Sequence, residues 1–355
     1  MVDRRKHRVV SSSAVRVILL VAILAGSGRQ LAFAQEGTVL GMEGSRFTLN
    51  GTPTFLLGLS YYGGLGASEE FLRQDLDDAQ RYGFNWLRVW ATWESFGTDV
   101  SAVDRHGQPR PPYFDKLQRL VAECDRRGLA VDVTLTRGKE SPTGAAAGRL
   151  PDFDSHQRAV EAVVIALKRH RNWFLDLANE RDVRDDRYVP PAELKTLREL
   201  VRRLDPSRLV TASCGGHDLD EQDVRDALLT AELDFLSPHR PRNVESPSQT
   251  AARTRACFDL MKQIGRVVPV LFQEPFRRGY TKWEPTSADF MTDLRGAVAG
   301  GAAGWCFHNG AQTDTVDKQP RRSFDLHDKR LFDQLDKEEQ QVAAAAGMIV
   351  RPMRN

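Results

Sequence analysis

Residues 173–183 read WFLDLANERDV, a run of core-type side chains that ends in an amide, Asn179, followed at once by a carboxylate, Glu180. Desolvating an ionised carboxylate is costly unless the group is paired or reaches water. Either the strand runs out into solvent here, or it delivers two polar groups to a site.

The same kind of apolar run recurs along the chain, alternating with amphipathic helical patterns. In chain order the eight predicted strands are FLLGLSY (55–61), NWLRVWA (85–91), LAVDVTLT (129–136), WFLDLAN (173–179), RLVTAS (208–213), LDFLSPH (233–239), VPVLFQE (268–274) and GWCFHN (304–309). The first helical pattern opens at a capping residue, Ser68, and closes on Gly83. Eight strands, each followed by a helix, predict a single α/β domain, a (β/α)₈ TIM barrel, rather than an open doubly wound sheet. The sequence also lacks the glycine-rich signatures of nucleotide-binding sheets.

A short N-terminal β-hairpin precedes the first barrel strand. RFTLNGTPT (46–54) contains Asn50–Gly51, a turn pair, and is expected to close the bottom of the barrel. The catalytic barrel is expected to cover residues 35–345 and to be followed by a loosely held tail over 346–355.

Residues 1–34 have the features of an export signal. A basic segment, DRRKHR, precedes a short apolar run, VILLVAILA (17–25), and AFA (32–34) fits cleavage before Gln35. The apolar run is shorter than the ~18–20 residues that a membrane-spanning helix needs. We therefore expect a secreted or periplasmic protein with no stable membrane insertion after signal cleavage; the alternative is an uncleaved amphipathic anchor.

The composition is typical of a folded globular protein, with 41% hydrophobic and 28% charged residues among 355. The formal net charge is only +2, so nothing global favours nucleic acid or an anionic membrane, and no nucleic-acid partner is expected. Cys124, Cys214, Cys257 and Cys306 form no C-x-x-C pair. Buried free thiols are expected, while pairing of two of them stays open for an exported protein.

Two glutamates close apolar strands, Glu180 at the fourth and Glu274 at the seventh. The chemistry of such barrels lies at the carboxyl ends of the strands, so both carboxylates are expected to face one cavity. Hydrolysis of a glycosidic bond needs two carboxyl groups, one to protonate the departing oxygen and one to attack the sugar or activate water. In this interpretation Glu180 is the proton donor, its pKa is raised beside ionised Glu274, and Asn179 hydrogen-bonds the 2-hydroxyl. The alternative is that each glutamate is a surface residue just past its strand.

At these residues the sequence resembles a known family. LDLANERD (175–182) and VPVLFQEP (268–275) are similar to the acid and nucleophile strands of glycoside hydrolase clan A, and family 5, the cellulase and mannanase-like group, is the nearest resemblance. It extends from LNGTPTFLLGLSYYG (49–63) through GFNWLRVW (83–90) to GAAGWCFHNG (301–310). The resemblance implies a retaining mechanism without metal or organic cofactor, acting on a β-linked glycan.

The resemblance also implies roles for other residues. Arg88 would hydrogen-bond the nucleophile, His239 would line the same subsite, and Trp305 would be a platform under the sugar, with core packing as the alternative. The family commonly has an aromatic residue two positions after the strand-six histidine, where this chain has Pro241. The tyrosine that contacts the nucleophile is therefore missing or supplied elsewhere, with Tyr280 as the candidate.

Further candidate sugar contacts lie at the ends of the first two strands. They are Tyr61, Trp90 and Trp93, and core packing is an equal alternative for the two tryptophans. A basic cluster follows strands six and seven: Arg240, Arg242, Arg277, Arg278 and Lys282. It predicts either a solvated rim or recognition of a uronate-bearing or sulfated substrate.

The sequence does not favour a metal site. It contains no H-E-x-x-H, and His217, His239 and His308 lie on different units without a ligand spacing. Besides hydrolysis, two functions stay open: a barrel that binds glycan without cleaving it, and a transglycosylase that uses the same residues.

Overall fold

The structure is a computed structural model that describes residues 37–95, 98–136, 149–183, 187–310 and 323–350. Gly37–Asn355 forms one compact unit. The predicted export signal and cleavage site lie outside the described residues.

The N-terminal strands form a small antiparallel sheet. Its strands are β1 (Leu40–Glu43), β2 (Arg46–Leu49) and β3 (Thr52–Thr54). Asn50 and Gly51, which join β2 to β3, both have positive φ angles, 51° and 76°, as the turn pair in the sequence predicts. Phe47 of β2 packs edge-on against Phe235, with ring centroids 5.0 Å apart. The hairpin therefore covers the apolar bottom of the barrel.

The main sheet is parallel throughout. Its strands are β4 (Leu56–Ser60), β5 (Trp86–Trp90), β8 (Ala130–Thr134), β9 (Trp173–Asp176), β10 (Val210–Thr211), β11 (Leu271–Phe272) and β12 (Gly304–Phe307). Their order is β10-β9-β8-β5-β4-β12-β11. A separate pair, β6 (Glu94–Ser95) and β7 (Thr98–Asp99), lies in the loop after β5.

The sixth predicted strand, residues 233–239, is not a regular strand. It makes two isolated parallel bridges, Leu236 to Val270 and Cys214 to Pro238. A proline has no N–H to continue a ladder, which explains why the pairing stops there. The two bridges nevertheless link β10 to β11, so the ring closes as the predicted (β/α)₈ barrel.

Helices cover the outside of the sheet. They are α1 (Glu69–Tyr82), α2 (Tyr113–Arg126), α3 (Phe153–Leu167), α4 (Pro191–Leu204), α5 (Glu221–Arg225), α6 (Ser246–Gln263), α7 (Ser287–Gly300) and α8 (Lys337–Val350). Ser68 caps α1 and Gly83 ends it at φ 86°, as predicted. The predicted boundary at 345 was wrong, because α8 continues to Val350 and buries Ala346 against the barrel. Within the described ranges, no helix meets the length and hydropathy that crossing a bilayer requires.

Glycine sets the close approach of two central strands. A Cβ at Gly58 of β4 would collide with the indole of Trp86 on β5. Trp86 belongs to the apolar cluster at the bottom of the barrel, together with Phe174 and Leu271. The upper half of the barrel interior is polar, and the four cysteines are buried free thiols.

Candidate active site

Glu180 is delivered to the barrel mouth by a sharp turn after β9. Its φ angle is 49°, a left-handed conformation that non-glycine residues rarely adopt. The turn is held by two hydrogen bonds to Ser213, from the backbone N–H of Glu180 to the hydroxyl (2.9 Å) and from that of Arg181 to the carbonyl (2.9 Å). Strained backbone of this kind clusters at functional sites. The strand therefore does not simply run out into solvent.

Glu274 follows β11, and its carboxylate is almost completely buried. Tyr62 donates its hydroxyl hydrogen to Oε1, and Arg88 donates to the same oxygen. Oε2 accepts a hydrogen bond of 2.7 Å from Nη2 of Arg242. Three donors on one carboxylate fix its orientation and favour its ionised form.

The two carboxylates face each other across the barrel mouth. One oxygen of Glu180, one of Glu274 and a ring nitrogen of His239 all lie within 4.8 Å of one another. Nδ1 of His239 is 3.1 Å from Glu180 Oε1 and 3.6 Å from Glu274 Oε2. Carboxyl groups about 5–5.5 Å apart are typical of retaining glycosidases, whereas inverting enzymes need roughly 6.5–9.5 Å.

Electrostatics lowers the pKa of both glutamates. Burial alone would raise the pKa of Glu274, but the positive charges around it, including Arg88 and Arg242, hold it well below its ordinary value. Burial and the charge of Glu274 likewise act to raise the pKa of Glu180. The hydrogen bond from His239 and the charge of Arg242 outweigh them, so the pKa of Glu180 lies below its ordinary value. The expectation of a raised pKa for Glu180 was therefore wrong for this state of the site.

Arg88 of β5 organises the floor of the site. Its side chain is fully buried and donates to Asp132 (Nε, 3.2 Å), Asp176 (Nη2, 3.1 Å) and the amide oxygen of Asn179 (Nη2, 2.9 Å), in addition to Glu274. Burial raises the pKa of the Asp132 carboxyl above its ordinary value. Because the amide oxygen of Asn179 accepts a hydrogen bond from Arg88, the amide nitrogen is the group of Asn179 that can donate to a sugar hydroxyl.

Tyr62 is the functional tyrosine that sequence reasoning missed. Its ring is stacked between Trp90 and Phe324, with centroids 4.6 and 4.5 Å away. Tyr61, the predicted candidate, instead donates its hydroxyl to Asp75 (3.0 Å) in the core behind the sheet. Side chains alternate between the two faces of a strand, and Ser60 points into the barrel. The alternation therefore predicts that Tyr62 also points into the barrel and that Tyr61 does not.

Trp305 is not a sugar platform. Its ring is completely buried and its Nε1 donates to Asp293 on α7 (2.7 Å). Strand alternation is again the reason, because Trp305 faces the helices while His308, three positions on, turns into the site. Nδ1 of His308 lies 2.7 Å from the hydroxyl of Ser60. The platform predicted for Trp305 needs an exposed aromatic face, which this residue does not have.

Trp90 and Trp93 form one aromatic wall of the mouth. Both rings are partly exposed, and their centroids are 5.0 Å apart in an edge-to-face arrangement. Trp93 also packs against Tyr62, at 5.4 Å. The two indoles lie beside Tyr62, the tyrosine that donates to Glu274.

Tyr280 is half-exposed and does not take the role of the missing tyrosine. Its ring lies under two guanidinium groups, those of Arg242 (4.8 Å) and Arg277 (4.1 Å). Its contacts in the described part of the chain do not include Glu274, because Tyr62 donates to that carboxylate. The predicted tyrosine contact therefore comes from the first barrel strand and not from the loop after the seventh.

The basic cluster separates into three groups. Arg242 and Arg277 lie at the mouth. Arg240 is buried outside it and bonds Asp218 (2.9 Å), whereas Arg278 bonds Asp336 (2.7 Å). Lys282 is exposed.

Two groups of metal-ligand residue types lie at the mouth. In the first, Glu180, His239 and Glu274, the Arg242 guanidinium already contacts both carboxylates, so the position for a cation is taken by a side chain. In the second, Asp182, His217 and Asp223, the hydrogen bond with Asp223 raises the pKa of His217 to about 9. A metal ion would therefore have to displace the proton on this imidazole.

No protein-family model and no curated protein sequence matches this chain. Solved structures do match. A family 5 glycoside hydrolase from Bacteroides vulgatus superposes with a TM-score of 0.63 at 16% identity, over 86% of this chain and 69% of that one. The chain has the fold of family 5 glycoside hydrolases.

Endo-mannanases are also among the structures with this fold. The endo-1,4-beta-mannanase of Rhizomucor miehei gives a TM-score of 0.59 at 13% identity, over 88% of this chain and 99% of its own. The endo-beta-1,4-mannanase of Thermotoga petrophila gives 0.55 at 15% identity, over 86% and 79%. At these identities the likeness is one of fold.

Proposed function

We propose that this protein is an exported retaining glycoside hydrolase that cleaves β-glycosidic bonds in a poly- or oligosaccharide. The observation that carries the proposal is the approach of Glu180 and Glu274, whose carboxylate oxygens come within 4.8 Å in a barrel mouth. The buried position of Glu274 under Tyr62 and Arg88 suits a nucleophile that must stay ionised and correctly aimed. The export signal predicted from residues 1–34 supports a location outside the cytoplasm.

The reaction follows a double displacement. An oxygen of Glu274 attacks the anomeric carbon while Glu180 gives its proton to the departing oxygen, which forms a glycosyl ester and releases the leaving group as an alcohol. Glu180, now ionised, takes a proton from water, and the hydroxide equivalent attacks the same carbon. The ester bond breaks, Glu274 leaves as a carboxylate, and the sugar keeps its anomeric configuration.

Glu180 must be protonated before it can act as the acid. His239 and then Arg242 lower the pKa of Glu180 and favour its ionised form. A sugar that enters between the carboxylates displaces the Arg242 guanidinium from Glu180, which is only 3.4 Å away. Losing this charge raises the pKa of Glu180 toward the value that a proton donor needs. Arg242 is then a positioning residue whose contact with Glu274 persists.

Other side chains have roles in substrate binding. The amide nitrogen of Asn179 donates to the 2-hydroxyl of the sugar, and Trp90 and Trp93 provide stacking faces. His239 and His308 line the subsite beside Glu274. No metal or organic cofactor takes part, because the side chains present supply every proton transfer and bond change of the reaction.

Covalent labelling tests the proposal directly. The purified protein is incubated with 2-fluoro-glycosides carrying activated leaving groups, and its intact mass is measured. We expect one added sugar and, after proteolysis, its location on Glu274. Glu274→Gln is the matched control and should not react. Labelling of another residue would contradict the assignment of the nucleophile.

A glycan-binding barrel without catalysis is the second candidate. It is favoured by the Arg242 guanidinium, which contacts both carboxylates and, after His239, helps to lower the pKa of Glu180. A non-cleaving protein would bind the 2-fluoro-glycosides reversibly and show no adduct. The mass measurement therefore separates the two candidates.

A further inference from the structure

Arg277 makes no direct ion pair with an acid within the described parts of the chain; the charge of Glu274 acts on it without contact. Its Nη1 donates to Nε2 of His308 (3.0 Å), and its guanidinium lies over the rings of Tyr280 (4.1 Å) and Phe324 (5.5 Å). Its Nε is buried and has no hydrogen-bond partner there, whereas part of the side chain is accessible from the mouth. A buried cation without an anion is costly unless a ligand supplies the anion.

His308 cannot be the missing counter-charge. A guanidinium only donates, so Nε2 of His308 must accept and its Nδ1 must carry the hydrogen, which points at Ser60 (2.7 Å). Burial holds the pKa of His308 well below its ordinary value, so the ring is neutral. Glu274 approaches the same ring nitrogen, with its Oε2 3.6 Å from Nε2 of His308, but makes no direct ion pair with Arg277 among the described residues.

A second guanidinium lies next to Arg277. Arg242 rests on the same Tyr280 ring, and its Nε is likewise buried without a partner among the described residues. Burial and then the charge of Arg242 lower the pKa of Arg277. Arg242 is already paired with Glu274 and Glu180, but each of the two guanidinium groups on the ring keeps an unused N–H to which an anion could bind. The pair lies beside the catalytic carboxylates, where a sugar at the cleaved bond would bind.

We propose that Arg277 and Arg242 form a subsite for an oxyanion on the sugar next to the cleaved bond, so that the substrate is an acidic glycan. Arginine recognises planar carboxylates and sulfates through paired N–H donors, and Tyr280 holds the two guanidinium planes in place. The inference rests on the proposed function and names its substrate class: a uronate or a sulfated sugar. A neutral glycan would leave Arg277 without a directly bound anion.

Binding without turnover tests this inference. The ligands are methyl 1-thio-β-glycosides, which resist hydrolysis, and their binding is measured by calorimetric titration. They are compared as acidic and neutral partners: glucuronate with glucose, mannuronate with mannose, and galacturonate with galactose. The 6-sulfated form of each hexose is titrated as well. We expect an acidic member to bind about tenfold or more tightly than its neutral partner. A carboxylate preference and a sulfate preference both support the subsite and identify its ligand. Equal affinity within every pair would overturn it.

Variants assign the preference to Arg277. Arg277→Gln should abolish the advantage of the acidic sugar, whereas Lys282→Gln, which removes the same charge from an exposed position in the same loop, should retain it. Arg277→Lys keeps the positive charge but loses the paired N–H donors of the guanidinium, so the affinity advantage of the acidic sugar should be smaller than in the wild type. This variant replaces Arg277→Gln in the test if the glutamine variant fails to fold. An advantage that survives in Arg277→Gln and Arg277→Lys would overturn the proposal.

The binding titrations and the covalent labelling can fail independently of each other. An acidic preference without an adduct on Glu274 would contradict hydrolysis and keep the subsite. An adduct without any acidic preference would keep hydrolysis and reject the subsite.

Discussion

Nη2 of Arg242 lies 2.7 Å from Oε2 of Glu274, an ion pair at the centre of the barrel mouth. Arg242 follows Pro241, and the family that the sequence resembles commonly has an aromatic residue at the position of this proline. Here an arginine approaches Glu274 from this side, and a tyrosine, Tyr62, approaches from the first barrel strand. The site thus combines two closely spaced carboxylates with two arginines, Arg88 and Arg242, on Glu274.

The pH dependence of hydrolysis follows from these contacts. Glu274 must be ionised and Glu180 protonated, so kcat/KM falls at low pH through the pKa of Glu274 and at high pH through that of Glu180. Both pKa values are lowered, so the active range lies at acidic pH. Arg242→Gln removes a charge that lowers both, and the pH profile should move to higher pH.

Arg242→Lys is the matched control for that shift. It keeps a positive charge near both carboxylates, so its profile should stay closer to that of the wild type. The measurement is kcat/KM against pH with an activated aryl glycoside and with a natural-type leaving group. An alkaline limb that does not move in Arg242→Gln would show that this guanidinium does not control Glu180.

Glu180→Gln should separate substrates by their leaving groups. Loss of the acid is expected to reduce turnover by about 10²- to 10⁴-fold for substrates with poor leaving groups, which need protonation. Activated aryl glycosides, whose leaving groups depart as anions, should be spared far more in the first step. Equal wild-type rates on both substrates would show that Glu180 is not the acid.

Two adjacent tyrosines should have different effects when their hydroxyls are removed. Tyr62→Phe deletes a hydrogen bond to ionised Glu274 and should lower kcat by about 10- to 100-fold. Tyr61→Phe deletes a hydrogen bond to Asp75 in the core and should cost about 1–3 kcal/mol of unfolding free energy without changing kcat. Rates and denaturant unfolding are measured for both variants, and the opposite pattern would reverse the assignment.

Trp305 should behave as a structural residue. Trp305→Phe keeps most of the apolar volume but leaves buried Asp293 without the indole donor, which should cost about 1–3 kcal/mol of stability. KM should stay unchanged, because the ring does not reach the sugar. Trp90→Ala, in contrast, should raise KM by removing an accessible stacking face. A large rise in KM for Trp305→Phe alone would restore the platform role.

Much of the fold was predictable because it depends on local patterns. Period-two and helical repeats located seven of the strands, Ser68 and Gly83 bounded the first helix, and Asn50–Gly51 marked the hairpin turn. The sixth strand was harder to predict, because Pro238 interrupts a ladder whose remaining bridges depend on neighbours distant in sequence. The end of α8 was missed because its burial depends on packing against the barrel.

The composition of the site was only partly predictable. Glu180, Glu274, Asn179 and Arg88 stand out because polar groups in or just after apolar strands are rare. Tyr62 and His308 could have been found by following strand alternation consistently, which also excludes Tyr61 and Trp305. The separate roles of the five basic residues could not have been predicted, because a loop sequence does not indicate where the end of a long side chain lies.

The sequence by itself determined that strands of one parallel barrel carry two glutamates to the same rim, because hydrophobic periodicity and strand ends are properties of neighbouring residues. Only the tertiary structure decided what surrounds those glutamates. Arg242 reaches Glu274 from 32 residues away and Tyr62 reaches it from 212 away. Distances, pKa values and the surroundings of Arg277 depend on such long-range contacts, which exist only once the ring of strands has closed.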